Sequence, residues 1–385
     1  MPASHVPLPL AASDFSAIDH AHMARALRLA ERGLMTTQPN PRVGCVLARG
    51  DEIVGEGWHE RAGEAHAEVF ALRQAGERAR GACAYVTLEP CAHFGRTPPC
   101  ADALVGAGVA RVVVASGDPN PKVDGGGLRR LRDAGIVVET GLMHAAAREL
   151  NRGFFSRIER GRPWLRIKQA MSLDGRTALA NGESQWITAA AARADVQRWR
   201  ARSGAILTGS GTVRADNPRL TVRLNALALE GDEQNNSGAI VFKPLRVVLD
   251  RQLQTPKNSH VLDGSAPTLI FHALAAQSSH SGFDGVECVG VESTADGLDL
   301  PQVLRELATR GINELQVEAG PTLCGALFAA GLVDELLLYV APVLLGDQAR
   351  ALLQLPDIER MASAPRLRVI EQRQVGNDLR ILLRP

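Results

Sequence analysis

His66, Glu68, Cys91 and Cys100 are the residues whose types and spacing carry the sharpest chemical message in this sequence. His66-Ala67-Glu68 precedes Pro90-Cys91, and Cys100 follows nine positions after Cys91. One imidazole nitrogen and two thiolates suit zinc, and three protein ligands leave a fourth position open to water. Zinc brings the pKa of such a water close to neutrality and makes it a usable nucleophile. Glu68, two residues beyond His66 at the start of an expected helix, can approach that water without ligating the metal. A carboxylate so placed carries the proton from water to a departing amine, as hydrolytic deamination of an amino-heterocycle requires. A purely structural zinc site would close with a fourth protein ligand, for which His93 is the nearest candidate, and would give Glu68 no purpose.

Such a constellation needs a scaffold, and the chain is long enough for two or three domains at 385 residues. An apolar fraction of 45% and a charged fraction of 22% are those of a soluble globular protein. Forty-three basic residues against forty-two acidic ones leave no basic excess for a nucleic-acid backbone. No apolar run approaches the roughly 18 to 20 residues that span a bilayer. The stretch Met1 to Ala12 lacks a basic region and makes a poor signal peptide. With six sparse cysteines, the expectation is a reduced, cytoplasmic protein. Cys45, Cys83, Cys288 and Cys324 read as core residues.

The periodicity predicts a helix from Asp19 to Arg32, stopped at Gly33, and a strand pair over 42–49 and 52–57 turning at Gly50-Asp51. A helix over 66–74, strands over 84–88 and 109–116, and helices over 101–108 and 128–134 follow. Residues 144–162 are helix-like, then basic, and read as the connection to a second alternating series. Its strands are expected at 164–169, 204–208, 245–249, 268–271, 314–318 and 335–340, with a closing pair at 366–371 and 378–383. Its helices are expected at 189–202, 301–309 and 322–330, and the polar stretch 226–238 reads as a loop. Alternation of this kind predicts α/β domains, here over 17–145 and 162–385.

The segment Pro90-Cys91-Ala92-His93-Phe94-Gly95-Arg96-Thr97-Pro98-Pro99-Cys100 resembles the signature of the riboflavin-pathway deaminases. Other zinc deaminases usually place the two cysteines two residues apart, whereas eight residues intervene here, as in this family. The segments Gln38-Pro39-Asn40-Pro41-Arg42-Val43-Gly44 and Gly117-Asp118-Pro119-Asn120-Pro121-Lys122 agree, as does His59 ahead of Gly63 and His66. The resemblance implies a cytidine-deaminase-like α/β/α domain, with zinc on His66, Cys91 and Cys100 and Glu68 as proton shuttle. It further implies substrate contacts from Asn40, His59, His93, Asn120 and Lys122. An Asn amide can pair with the ring nitrogens and exocyclic groups of an aminopyrimidine, and Lys122 and Arg96 suit a phosphate.

In the second half no Gly-x-Gly-x-x-Gly follows a strand, so a Rossmann site is not supported. Two glycine-bearing turns, Thr208-Gly209-Ser210-Gly211-Thr212 and Glu318-Ala319-Gly320-Pro321-Thr322, stand at strand ends where backbone amides can meet a phosphate. The segments 168–175, 182–188 and 211–223 resemble the reductase half of the same bifunctional family, which is similar to dihydrofolate reductase in fold and uses NADPH. By that resemblance Ala170, Trp186, Thr212 and Asp216 line the cofactor site, with the Gly320 turn near its phosphates. Lys168, Ser184, Arg200, Leu220, Arg223 and Glu318 then hold the sugar-phosphate substrate, and Asp174 is a polar support. The two arginines read as a phosphate grip. Family members often carry Gly-Gly after the glutamate; Ala319-Gly320 here adds one methyl to the turn.

The resemblance implies deamination of 2,5-diamino-6-ribosylamino-4(3H)-pyrimidinone 5′-phosphate, a small pyrimidine nucleotide, followed by NADPH-dependent reduction of its ribosyl group. It also implies a homodimer or higher homo-oligomer, with no nucleic-acid or membrane partner. The alternative is a zinc-dependent nucleic-acid base deaminase with an accessory domain. That protein would need a basic, aromatic-rich strand path, and only 4% of the residues are aromatic. A non-catalytic zinc module is the third reading, separable by whether Glu68 matters.

Overall fold

The computed structural model describes residues 15–92, 99–121, 123, 125–223, 243–279, 283, 285–295 and 297–385. The loop expected at 226–238 lies outside them. Two compact units divide the chain at Glu159 and Arg160. Among the described residues no helix is long and apolar enough to cross a membrane.

The first unit begins with α1 (Ala17–Glu31), closed at its start by reciprocal bonds between Ser16 and Asp19. There follow β1 (Gly44–Arg49), β2 (Glu52–Trp58), α2 (Ala67–Ala75), β3 (Cys83–Val86), α3 (Cys100–Ala107), β4 (Arg111–Val114), α4 (Gly126–Asp133) and β5 (Val137–Thr140). The sheet order is β2-β1-β3-β4-β5, with β1 antiparallel to both neighbours and β3, β4 and β5 parallel. Successive strand side chains point to opposite faces. Accordingly Cys45, Leu47, Ala84, Val86, Val112 and Val114 pack with Ala67, Ala71 and Leu104 from α2 and α3. Val46, Tyr85 and Val113 pack on the other face with Met23, Ala26 and Leu29 of α1. Strands apolar on both faces thus make an α/β/α sandwich.

The helix-like segment read as a connection forms two helices, α5 (His144–Leu150) and α6 (Arg152–Arg160). Phe154 and Phe155 of α6 are buried against Leu88, so most of this segment belongs to the first unit. Its run of basic residues gave the sequence the look of a linker.

The second unit comprises β6 (Trp164–Ser172), β7 (Arg176–Ala178), α7 (Ala190–Ala201), β8 (Ala205–Gly209), α8 (Ser210–Asp216), β9 (Leu245–Leu249), β10 (Thr268–Ala273) and β11 (Glu287–Val291). Then come β12 (Ser293–Thr294), β13 (Gly297–Leu298), α9 (Leu300–Thr309), β14 (Glu314–Val317), α10 (Pro321–Ala329), β15 (Glu335–Ala341), β16 (Arg350–Ala351), β17 (Arg368–Val375) and β18 (Asp378–Arg384). The large sheet runs β11-β10-β9-β8-β14-β6-β15-β18-β17. Its strands are parallel from β11 to β15, and β18 is antiparallel to both β15 and β17. Both units are α/β, as the alternation predicts. Several elements were not anticipated: the short strands β5, β7, β11, β12, β13 and β16, and α8, whose glycines made it read as a turn.

In the first unit, glycine sets the placement of α2. A Cβ on Gly57 would lie 2.6 Å from the Ala67 carbonyl oxygen and 2.6 Å from the Phe70 Cβ; one on Gly55 would lie 2.3 Å from the Ala71 carbonyl oxygen. Only hydrogen at these positions lets the helix lie this close to β2. Gly57→Ala should therefore destabilise the first unit by about 1–3 kcal/mol through overpacking. Denaturant unfolding followed in that unit measures this, and an unchanged midpoint would contradict the close-approach argument.

Candidate active sites

Three ends of elements meet in the first unit. His66 is the N-cap of α2, Cys91 lies in the segment after β3, and Cys100 is the first residue of α3. Their ligand atoms all lie within 4.8 Å of one another. His66 Nδ1 is 3.2 Å from Cys100 Sγ and 3.6 Å from Cys91 Sγ. A tetrahedral zinc with ordinary bond lengths separates such N and S atoms by about 3.6 Å. The donor set and spacing therefore fit that ion. Hydrogen bonding from Cys100 pulls the Cys91 thiol down, while its partnership with Cys91 and its burial push the Cys100 thiol up. The pair thus holds one thiolate readily, and a cation is the partner that would stabilise two.

Glu68, in the first turn of α2, is 3% exposed. Its Oε2 is buried and has no hydrogen-bond partner. Burial pushes this carboxyl up, against the pull of His66. An unpartnered buried carboxyl oxygen is costly unless water or substrate meets it. His59 packs edge-on to His66 with ring centroids 5.4 Å apart. Its Nδ1 lies 3.0 Å from the Ala65 carbonyl oxygen and its Nε2 3.0 Å from Asn40 Nδ2. A neutral ring protonated on Nδ1 satisfies both contacts by donating to Ala65 and accepting from Asn40. Burial likewise pushes the His59 pKa down. Asn120 sits in the segment after β4, with its backbone N–H donating to Asp118 Oδ1 at 2.8 Å. His93 and Lys122, with Arg96, lie outside the described residues. Cys45 and Cys324 are buried and Cys83 and Cys288 half-buried, none in the metal cluster.

In the second unit a cleft of about 2060 Å³ opens along the C-terminal ends of β6, β8 and β14, the edge at which parallel α/β sheets bind ligands. Drug-sized pockets are about 300–1,000 Å³, so this one has room for two ligands. Ala170, Trp186, Thr212, Asp216, Gly320, Lys168, Ser184, Arg200, Leu220, Arg223 and Glu318 all line it. Trp186 is 63% exposed and carries the Arg193 guanidinium 4.5 Å from its ring centroid. Its indole is thus presented at the cleft instead of filling a core.

The two arginines of the expected phosphate grip differ. Arg200 donates from Nε and Nη2 to the two Glu318 oxygens, at 2.7 Å each, and from Nη1 to the Thr221 carbonyl at 2.9 Å. Three of its five N–H donors are thus committed, which leaves Arg223, whose side chain is exposed, as the freer cation. Burial pushes the Glu318 carboxyl up, but Arg200 and Lys168 outweigh it and hold it at about 2. Lys168 is pushed down by burial, with Glu318 opposing. Asp174 does not line the cleft. It accepts from Ser172 and from the backbone N–H of Leu345 and Gly346, tying two turns together. Sequence reading missed Gln169, whose Nε2 donates to the Ala319 carbonyl at 3.0 Å and so holds the Gly320 turn.

With this geometry in view, likeness to known proteins is informative. The family described as the cytidine and deoxycytidylate deaminase zinc-binding region matches residues 16–116, and the RibD C-terminal domain matches residues 163–381. The riboflavin biosynthesis protein RibD of Escherichia coli is 51% identical over 94% of this chain and 98% of its own length. That of Haemophilus influenzae is 47% identical over 97% and 99%. Among solved structures, Acinetobacter baumannii RibD superposes with a TM-score of 0.86 at 46% identity, over 96% of this chain and 99% of that one. A Thermotoga maritima structure gives 0.81 at 30% identity over the same shares; it is named as a diaminohydroxyphosphoribosylaminopyrimidine deaminase/5-amino-6-(5-phosphoribosylamino)uracil reductase. Long matches across both halves leave one conclusion: the chain belongs to the RibD family of riboflavin biosynthesis proteins.

Proposed function

We propose that this chain catalyses two successive steps of riboflavin biosynthesis on one pyrimidine nucleotide. The first unit hydrolyses the 2-amino group of 2,5-diamino-6-ribosylamino-4(3H)-pyrimidinone 5′-phosphate, releasing ammonia. The second reduces the ribosyl group of the product to ribityl with NADPH. The observation that carries this reading is the His66, Cys91 and Cys100 cluster with the buried, unpartnered Glu68 oxygen on the adjoining helix turn.

In the first unit His66, Cys91 and Cys100 hold zinc. When bound, the metal supplies Lewis acidity that brings the pKa of a water to about 7. Glu68 takes the proton of the attacking water and returns it to the departing amine; burial favours its protonated form and suits it to both halves of that transfer. His59 fixes the Asn40 amide, and Asn40 orients the pyrimidine edge together with Asn120. His93 and Lys122 complete the substrate contacts carried by the resemblance.

In the second unit NADPH supplies a hydride. Ala170, Trp186, Thr212, Asp216 and the Gly320 turn hold the cofactor, and Ser184, Leu220 and Arg223 hold the sugar phosphate. The Arg200–Glu318 ion pair is a rigid wall of the cleft that fixes Thr221 beside it. Lys168, kept next to Glu318, donates from its ammonium to a substrate oxygen.

Purified protein should bind one zinc per chain, and Glu68→Gln should keep the metal while lowering ammonia release by about 10²–10⁴-fold. The same variant should still oxidise NADPH when given the deaminated intermediate. Full ammonia release by Glu68→Gln would remove the shuttle assignment. Lys168 acts protonated, so reductase kcat/KM should fall as pH rises through a pKa below the ordinary lysine value of about 10.4. Lys168→Arg should abolish that limb, and a profile flat past the free-lysine value would remove the assignment. We also propose a homo-oligomer, supported by the edge strand β17, which exposes Val369 and Ile370. Sedimentation at the mass of a single chain would sink this.

A further inference from the structure

Glu89 stands two residues before Cys91 and is 5% exposed. Its carboxylate gathers backbone donors from a different part of the first unit. Oε2 accepts from the N–H of Asp118 at 3.4 Å and of Gly125 at 3.2 Å. Oε1 accepts from the N–H of Gly127 at 3.0 Å and of Leu128 at 3.3 Å. The Glu89 N–H in turn donates to the Ser116 carbonyl at 2.9 Å. Among the described residues no cation pairs with this carboxylate. Its charge is met by the four N–H groups and by the N-terminal end of α4, which begins at Gly126.

The second contact across this junction is steric. A Cβ on Gly127 would lie 1.8 Å from the Pro90 carbonyl oxygen. The backbone at Asp118, Gly125, Gly127 and Leu128 is therefore clasped to Glu89-Pro90 by hydrogen bonds and by a close approach that only glycine permits. Cys91 follows Pro90 directly, and Asn120 lies within the clasped segment. One side chain thus sets the spacing between a metal cysteine and the loop that carries Asn120.

We infer that Glu89 is a positioning residue of the deamination, holding the Asn120 loop in register with the Cys91 segment so that the pyrimidine meets the metal and Glu68 together. The inference rests on the proposed role of Asn120 in holding the pyrimidine. A carboxylate is needed because all four partners are donors. Glu89→Gln keeps the shape but turns an NH₂ group toward two of them. The metal ligands themselves are untouched by that change.

The test uses the full-length zinc protein, comparing Glu89→Gln and Asn120→Ala with the parent chain. Zinc per chain, kcat and KM for ammonia release from the diaminopyrimidine nucleotide, and NADPH oxidation with the deaminated intermediate are measured for each. Both variants should keep zinc and reductase turnover and raise the deaminase KM by about tenfold or more, with a smaller change in kcat. An unchanged KM in Glu89→Gln beside a raised KM in Asn120→Ala overturns the inference and leaves the role of Asn120 standing. An unchanged KM in Asn120→Ala overturns that role and the inference with it. Zinc loss in Glu89→Gln also overturns it, because the carboxylate would then serve the metal segment alone. Should calorimetry show Glu89→Gln unfolded in the first unit, Glu89→Asp, which keeps the charge and shortens the reach, is read in its place, with the same outcomes.

Discussion

Everything in the first unit answers to the requirement that three donors from three separate segments converge within 4.8 Å. No single helix or strand carries more than one of them. His66 depends on where α2 begins, Cys100 on where α3 begins, and Cys91 on the exit from β3. The glycines of β2 let α2 lie close to the sheet, and the parallel pairing of β3 and β4 brings the segments after both strands to the same edge. A shift of one element would separate ligands that differ by 34 positions in sequence, from His66 to Cys100. Tight packing on both faces of the sheet makes such a shift expensive.

The second unit solves a different problem, how to place charged groups on a cleft wall without letting them collapse onto the ligand. It does so by pairing. Arg200 and Glu318 neutralise one another bidentately, and Gln316 donates to the same carboxylate at 2.8 Å. Deeper in the sheet, fully buried Arg166 bridges Glu314 and Glu335. Removing one partner from such a group leaves an uncompensated buried charge, which costs far more than the intact pair contributes. The pairing also limits how Arg200 can grip a phosphate: three of its five N–H donors are committed, and rotating the fork away would strand Glu318.

Much of this was legible in the sequence, and the reason is period. Strands buried on both faces leave short apolar runs, and helices between them leave a 3.6-residue repeat, so the α/β alternation could be read directly. The metal cluster was legible because zinc restricts its ligands to a few residue types, and a carboxylate beside one of them stands out. The cleft residues were grouped by resemblance, and among them Trp186 presents an exposed indole at the cleft. The rest was hidden for a common physical cause. Glu89 binds backbone N–H groups, which carry no residue identity, and Arg200 finds Glu318 118 positions away. The basic residues of α5 and α6 masked that these helices belong to the first unit, and α8 hid behind glycines that usually end helices.

The two units also differ in how their sites tolerate loss. A metal centre with three protein ligands has no redundancy, since each supplies one of only three protein donors and cannot be replaced by neighbours. The surrounding shell then matters chiefly through distance, which is why a carboxylate bound only to backbone, such as Glu89, can affect binding without touching metal or substrate. The cleft is lined by residues on β6, α7, α8 and the segments after β8 and β14, so any single side chain there would carry a fraction of the binding of a ligand it held. Its weak point is instead the ion pair, because Arg200 and Glu318 fail together when either is removed. Preorganisation thus comes from coordination geometry in one unit and from compensated charge in the other.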